Sequence, residues 1–291
     1  MIKANLWRLE RSEKGILSPG PWFWPRTLIW LVALFTCAAF AFFASFQLRG
    51  WLHLSAGAKY YIAILIPAAA LALYSLAVSV GEKRHARELA LSDAVPCTLL
   101  GGVIGFVFMA MSLVLLWICH LNSVALGQWK DWFSYFVFNS YISAVLEELG
   151  FRAILLRLLA RMFGPIPGLM ISAVLFAVAH ASHAPSVALA LLAINGGMQL
   201  GILFMVSGSL WTPIGAHLAY DFTEWSLFGV GDKDGLLNVA PSPQHPAWLT
   251  GGTFGPDGSI LSALVSLSII AGVVAFSAFQ ANRKQRSTES V

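Results

Sequence analysis

Apolar residues occur along the chain in long blocks that are separated by short stretches rich in polar residues, glycine or proline. A helix that crosses a bilayer needs about 20 consecutive, mainly apolar residues, and eight blocks approach or exceed that length. The fourth block is longer than the rest and the fifth is shorter. The pattern predicts eight helical spans, at residues 27–48, 60–80, 98–119, 132–156, 167–182, 186–206, 210–228 and 259–279.

The composition agrees with a membrane protein. Of the 291 residues, 58% are hydrophobic and 11% are charged, whereas a soluble domain has about 25% charged residues. We therefore predict an all-α, polytopic transmembrane helical bundle. It is expected to be an integral, multi-pass protein, located in the plasma membrane if the source is bacterial. We divide the chain into an N-terminal segment at 1–26, a single transmembrane domain at 27–279 and a C-terminal tail at 280–291.

The basic residues indicate the orientation of the bundle. The net charge of +4 does not predict nucleic-acid binding, because lysine and arginine lie at the ends of apolar blocks. Cytoplasmic loops carry an excess of these residues, and they are concentrated before the first block, after the second and after the last. With eight spans, this predicts cytoplasmic N- and C-terminal segments. The basic residues concerned are Lys3, Arg8, Arg11, Lys14, Arg26, Lys83, Arg84, Arg87, Arg283, Lys284 and Arg286.

Three charged residues lie inside the fourth apolar block, in the stretch Leu146-Glu147-Glu148-Leu149-Gly150-Phe151-Arg152. Ionisable residues within a membrane helix are rare and usually mark a functional site. On a helix, Glu148 and Arg152 share a face at positions i and i+4 and can form an ion pair, while Glu147 points elsewhere. We expect Arg152 to hold Glu148 ionised and Glu147 to be free to accept a proton. An ion pair that only fixes helix packing is the alternative.

Further polar groups lie on the fifth and seventh blocks. Phe176 and His180 are spaced i and i+4 on the fifth, and His217 and Asp221 have the same spacing on the seventh. A single histidine within a membrane is more often a packing residue than a catalyst. Three helices with acid or imidazole groups at similar depth predict one hydrated pocket, with His180 near the middle of its span and the opening towards the cytoplasm.

These groups allow two kinds of hydrolytic chemistry. A carboxylate and an imidazole that share a water molecule can deprotonate it for attack on a carbonyl, while a second imidazole stabilises the oxyanion. Alternatively, Glu147, His180 and His217 could hold a divalent metal such as zinc with one open position. The helical sequence His-Glu-x-x-His is absent, so the metal stays open. No serine or cysteine nucleophile motif is present.

The three motifs, in this order on separate spans, resemble those of the CPBP family of intramembrane proteases, which includes the CAAX prenyl endopeptidases. The family pattern is Glu-Glu-x-x-x-Arg, then Phe-x-x-x-His, then His-x-x-x-Asn or Asp. Here the motifs are Glu147-Glu148-Leu-Gly-Phe-Arg152, Phe176-Ala-Val-Ala-His180 and His217-Leu-Ala-Tyr-Asp221. The resemblance covers residues 132 to 225 and defines a protease-like core at about 132–228. It implies a helical membrane fold that hydrolyses peptide bonds near the membrane.

The resemblance also implies a role for each motif residue. Glu147 would activate water with help from His180, while Glu148 and Arg152 would organise the site. His217 and Asp221 would bind the oxyanion or orient the substrate carbonyl. Many members have asparagine where this chain has Asp221, and a carboxyl group donates a hydrogen bond only when it is protonated, so Asp221 could orient His217 instead.

Two other functions use the same residues. In a proton-coupled transporter, the buried titratable groups would relay protons. In an inactive scaffold, they would serve packing alone. The expected partners of the protease are the lipid bilayer and a peptide or protein substrate, with or without a lipid anchor, and nucleic acid is not expected. The sequence predicts neither the substrate's identity nor the oligomeric state.

Overall fold

The structure is a computed structural model that describes residues 7–9, 12–51, 55–182, 184–231 and 234–289. Parts of the predicted terminal segments therefore lie outside the described residues. The described chain is mainly helical, and the predicted all-α polytopic bundle is confirmed. Its long helical segments are α1 (Phe23–Trp51), α2 (Ala56–Gly81), α3 (Leu91–Ile118), α4 (132–163), α5 (Pro165–Ala179), α6 (186–207), α7 (211–227) and α8 (Ile260–Glu289).

Five helices in the described part of the chain are long and apolar enough to cross a membrane. They correspond to α1, α2, α3, α6 and α8, and α5 is a shorter apolar helix. The protein is thus an integral, multi-pass membrane protein, as predicted. The number of spans and the side on which the termini lie stay predictions.

Three of the helices contain stretches of π-helix. In α4, the order is α (Trp132–Tyr135), π (Phe136–Tyr141), α (Ile142–Glu148), π (Leu149–Leu156) and α (Arg157–Phe163). In α6, π-helix Ala193–Met198 separates Ser186–Leu192 from Gln199–Ser207, and in α7 the α-helical part Trp211–Asp221 continues as π-helix Phe222–Leu227. Wide turns of this kind are rare and frequently adjoin functional sites.

Glycine and proline set the connection between α4 and α5. Gly164 has a φ of +94° and follows the last residue of α4, and Pro165 is the first residue of α5. Glycine adopts a positive φ without the clash that a Cβ atom would cause, and proline suits the first turn of a helix because its missing N–H has no helical partner there. The chain therefore reverses within a single residue, which keeps α4 and α5 side by side.

A two-stranded antiparallel sheet, absent from our prediction, joins two connections of the bundle. Strand β1 (Asn122–Leu126) follows α3, and β2 (Leu237–Pro241) lies between α7 and α8. Asn122 pairs with Pro241 and Leu126 with Leu237. After β2 come a short helix (Ala247–Thr250) and two 3₁₀ turns (Gly252–Phe254 and Pro256–Gly258). We call the sheet, together with the connection at 228–259, the strand end of the bundle.

A network of buried charges lies at the other end. Both terminal nitrogens of Arg157 donate to the carboxylate of Glu82, at 2.7 and 2.8 Å, and the Trp30 indole donates to the same carboxylate at 2.9 Å. Arg84 donates to Glu82 and twice to Glu88, each at 2.8 Å. We call this region the charged end. Since α3 runs from the charged end to β1 over 28 residues, at about 1.5 Å per residue the two ends are roughly 42 Å apart.

Helices α3 and α7 pack with their backbones in direct contact. A Cβ atom on Gly105 would lie 1.9 Å from the main-chain oxygen of Ala216, and one on Gly101 would lie 1.9 Å from that of Thr212. Glycine at these positions removes the side chain that would otherwise separate the helices. The close contact fixes α7, which carries His217 and Asp221, against α3.

We expect Gly105→Ala to destabilise the protein, by about 1–3 kcal/mol or more as is usual for overpacking. The neighbouring atom belongs to the helix backbone, so α7 has to move to admit the methyl group. The melting temperature in detergent measures the effect. Gly272→Ala in α8 is the matched control, because a Cβ atom there would meet nothing within 4 Å. Equal melting temperatures for the two variants would contradict the close packing.

Candidate active site

A small polar pocket lies where α4, α5, α6 and α7 meet the 228–259 connection. It has a volume of about 130 Å³, about ten times the roughly 10–15 Å³ that a single water requires. Four of the six predicted site residues line it. Glu147 comes from α4 and His180 from the end of α5, while His217 and Asp221 lie on neighbouring turns of α7. The lining includes Ser143, Glu147, Phe176, His180, Gly196, His217, Tyr220, Asp221, Glu224, Phe254 and Asp257.

Glu148 is held in place by two cationic or hydrogen-bonding partners. Its Oε1 atom accepts a hydrogen bond from Arg152 Nη1 at 3.0 Å and lies 2.8 Å from His217 Nδ1. Arg152 also donates to the main-chain oxygen of Gly196 at 2.6 Å, and its guanidinium carbon lies 4.4 Å from the centre of the Phe176 ring. The structure thus contains the predicted ion pair between Glu148 and Arg152. This pair links α4 to α5, α6 and α7.

Glu147 faces the pocket and is less constrained than its neighbour. Its Oε2 atom has no hydrogen-bond partner and lies 3.9 Å from His180 Nε2. His180 Nδ1 lies 2.9 Å from the main-chain oxygen of Phe176, and since a carbonyl oxygen only accepts, Nδ1 carries the proton and Nε2 faces Glu147. A gap of this length between two polar atoms is one that a shared water can bridge.

His180 does not lie near the middle of its span, and that prediction is wrong. Helix α5 ends at Ala179, and His180 is its C-terminal cap. The predicted span extends to residue 182, three residues beyond the last residue of the helix. The histidine reaches Glu147 because α4 and α5 run in opposite directions, so that the end of α5 lies beside the middle of α4.

His217 is oriented by Glu148 rather than by Asp221. The carboxylate of Glu148 accepts from Nδ1 of the ring, and the remaining nitrogen, Nε2, lies 3.7 Å from Asp221 Oδ1. That separation is longer than a hydrogen bond. Asp221 is 3% exposed, and its Oδ2 atom has no partner. His217 Nε2 and the Asp221 carboxyl both face the pocket.

The pocket lies on the strand-end side of the site. Phe254 and Asp257, which line it, belong to the 228–259 connection, and this connection contains β2. The residues that predict a cytoplasmic side, such as Arg84, lie at the charged end. The pocket therefore lies at the end of the bundle opposite the charged end. The predicted opening towards the cytoplasm stays a prediction.

The sequence analysis missed Asp257. Asn195 Nδ2 donates to the main-chain oxygen of Asp257 at 2.9 Å, and this places the Pro256–Gly258 turn over the pocket. The only local signal was Pro256-Asp257-Gly258, a common turn sequence. Nothing in the pattern of apolar blocks predicts that this turn folds back onto α6 and α7.

The predicted metal ligands do not form a ligand set. Among the residues that the structure describes, no group of three histidine, cysteine, aspartate or glutamate side chains is arranged to hold a metal ion. The Nδ1 atoms of His180 and His217 are both used in hydrogen bonds within the protein. We therefore derive no step through a metal, and the metal stays a prediction from the sequence.

Comparison with protein families gives a match in the central part of the chain. Residues 129–223 match the family model described as Rce1-like, type II CAAX prenyl endopeptidase. This region, about a third of the chain, is similar to the Rce1-like family. Comparisons with curated proteins and with solved structures gave no match. The Rce1-like region contains all six predicted site residues and supports a membrane-embedded protease function in general terms. Glu224 and Asp257 lie beyond its last residue.

Proposed function

We propose that the protein is an intramembrane endopeptidase that hydrolyses peptide bonds through a water molecule activated by Glu147 and His180. The observation that supports the proposal most directly is the approach of Glu147 Oε2 and His180 Nε2 to 3.9 Å, in two residues that both line the pocket. The Rce1-like match supports the same class of reaction.

In the proposed reaction, the Glu147 carboxylate takes a proton from this water while His180 holds the water by a hydrogen bond. The water oxygen then forms a bond to the carbonyl carbon of the substrate, and the carbonyl electron pair moves onto its oxygen. His217 would carry a proton on both ring nitrogens, so that Nδ1 donates to Glu148 and Nε2 donates a hydrogen bond to this oxyanion. When the carbon–nitrogen bond breaks, the proton on Glu147 passes to the leaving amine.

The other three motif residues would act through Glu147, His180 and His217. Glu148 holds His217 Nδ1, and Arg152 compensates the buried charge of Glu148. Asp221 lies beside His217 Nε2 at 3.7 Å, where its protonated carboxyl could donate a second hydrogen bond to the oxyanion. A fixed arrangement of donors of this kind is what stabilises charge that develops during acyl transfer.

The test is peptide cleavage by purified protein in lipid vesicles prepared in H₂¹⁸O, analysed by mass spectrometry. We expect one ¹⁸O atom in each newly formed carboxyl group, with products that Glu147→Gln protein does not form and that persist in the presence of a chelator. Loss of cleavage with the chelator would instead assign the activation of water to a metal. Proton or solute flux without any cleavage product would contradict the proposal and favour a transporter.

A further inference from the structure

The outer part of the pocket is strongly acidic, and most of it lies beyond the Rce1-like region. Glu224, on the π-helical turn that follows Asp221, and Asp257, on the Pro256–Gly258 turn, both line the pocket. Both are buried, as is Asp221. The three carboxyl groups come from α7 and from the strand end, so the fold has brought them together from separate parts of the chain.

The connection is shaped around these acids. Gly255 has a φ of +106°, and a Cβ atom on it would lie 2.4 Å from Glu224 Oε1. The positive φ favours glycine at this position, and the backbone of Gly255 therefore lies close to the Glu224 carboxyl. Asn195 holds the main chain of Asp257, and the Tyr220 hydroxyl forms a hydrogen bond with its carboxyl group. These contacts position the acids at the outer end of the pocket.

Arg152 and His217, two cationic groups beside the pocket, already bind Glu148. Arg152 pairs with Glu148, and Nδ1 of His217 also binds Glu148. Oδ1 of Asp257, a residue that lines the pocket and is 8% exposed, has no hydrogen-bond partner. A buried carboxylate oxygen without a donor is costly, so the site is built for a ligand that brings donors and positive charge.

The Asp257 carboxyl ionises at a higher pH than an ordinary aspartate. Burial raises its pKa to about 6, and the hydrogen bond from Tyr220 and the nearby His180 and His217 oppose this rise. Above that pH the group is an anion in a protected environment, where attraction to a cation is stronger than in water.

The arrangement favours an organic cation over a metal ion. No group of three potential ligands in the described residues is arranged to hold a metal. An ammonium or guanidinium group, by contrast, supplies only donors and tolerates a wider range of distances to carboxylate oxygens than a metal does. The pocket has room for the end of one side chain beside a water molecule, since about 130 Å³ is about ten times the roughly 10–15 Å³ that a single water requires.

We propose that Asp257 and Glu224 form a specificity subsite that binds a lysine or arginine side chain of the peptide substrate next to the scissile bond. This inference rests on the proposed endopeptidase function and names its substrate class. The subsite lies on the strand-end side of Glu147 and His180, so the basic residue enters from that side.

The test uses synthetic hydrophobic peptides in phosphatidylcholine vesicles, each carrying one lysine, glutamine or glutamate at a single position, with every position sampled in turn. At one position, we expect kcat/KM for the lysine peptide to exceed that for the glutamine peptide by about tenfold or more, as for other buried charge pairs. Asp257→Asn should reduce this ratio towards one, mainly by raising KM for the lysine peptide.

Cleavage of the glutamine peptide by Asp257→Asn protein serves as the internal check of folding, and Glu224→Gln is the second variant. Asp131→Asn is the matched control: Asp131 is exposed and has a φ of +55°, which asparagine also adopts. An unchanged lysine preference in both subsite variants, or no preference in the unmodified protein, would overturn the subsite while the endopeptidase stands. Failure to cleave any peptide would overturn the endopeptidase and the subsite together.

Discussion

Replacing Glu147 with glutamine should lower kcat for peptide cleavage by about 10²–10⁴-fold, the usual contribution of a general acid–base group. Glutamine keeps the size of the side chain but cannot accept the proton from water. Glu147 makes no hydrogen bond through Oε2 and is 14% exposed, so its loss removes chemistry rather than a packing contact. KM and the melting temperature should change little.

Two further variants make this result specific. Glu13→Gln is the matched control, because Glu13 is 72% exposed and lies 3.8 Å from Arg161, away from the pocket. It should retain full activity. Glu148→Gln should lower both activity and the melting temperature, because Glu148 holds Arg152 and His217. If Glu147→Gln keeps the kcat of the unmodified protein, Glu147 is not the base.

Replacing Arg157 with methionine should reduce the free energy of unfolding by about 3–5 kcal/mol, the usual cost of removing one partner from a buried ion pair. Arg157 is 3% exposed, and it makes a bidentate contact with Glu82 in addition to a 2.9 Å hydrogen bond to the main-chain oxygen of Ala153. Methionine fills the space but leaves the buried carboxylate of Glu82 with fewer partners. Arg283→Met, at an exposed position, is the control, and thermal unfolding in detergent is the measurement.

The pH dependence of unfolding separates this charge effect from simple loss of packing. Burial opposes ionisation of Glu82, but Arg157, Trp30 and Arg84 outweigh it, so the pKa of Glu82 lies below its ordinary value of 4.5. The stabilisation is fully present above pH 4.5 and is lost as the pH falls through the lowered pKa. The difference in melting temperature between Arg157→Met and unmodified protein should therefore shrink below about pH 4.5. A difference that is constant with pH would contradict the electrostatic account.

The sequence predicts the helices and the inner part of the site because both depend on regular spacing. Apolar blocks locate the eight long helical segments found among the described residues. The i, i+4 spacing of Glu148 and Arg152 predicts their ion pair, which forms at 3.0 Å. The order of the three motifs is likewise enough to predict the Rce1-like resemblance. Each of these signals lies within a single helix or in the order of helices.

The features that the sequence did not predict depend on contacts between distant segments. The sheet pairs residues more than a hundred positions apart, such as Asn122 and Pro241, and neither strand has a strong pattern of its own. Asp257 reaches the pocket through its contact with Asn195. His180 was placed too deep because an apolar block does not reveal the residue at which its helix ends.

The π-helical stretch Leu149–Leu156 has a consequence for how much variation in length α4 tolerates. It lies between Glu148, which serves the pocket, and Arg157, which binds Glu82 at the charged end. Removing a single residue from this stretch would turn everything after it by about 100° without altering the apolar character of the helix. Point substitutions among its apolar side chains keep the rotation between Glu148 and Arg157 unchanged. A one-residue deletion changes it, so that Glu148 and Arg157 can no longer both reach their partners. Helix α4 is therefore far more sensitive to a change in length than to a change in hydrophobic composition.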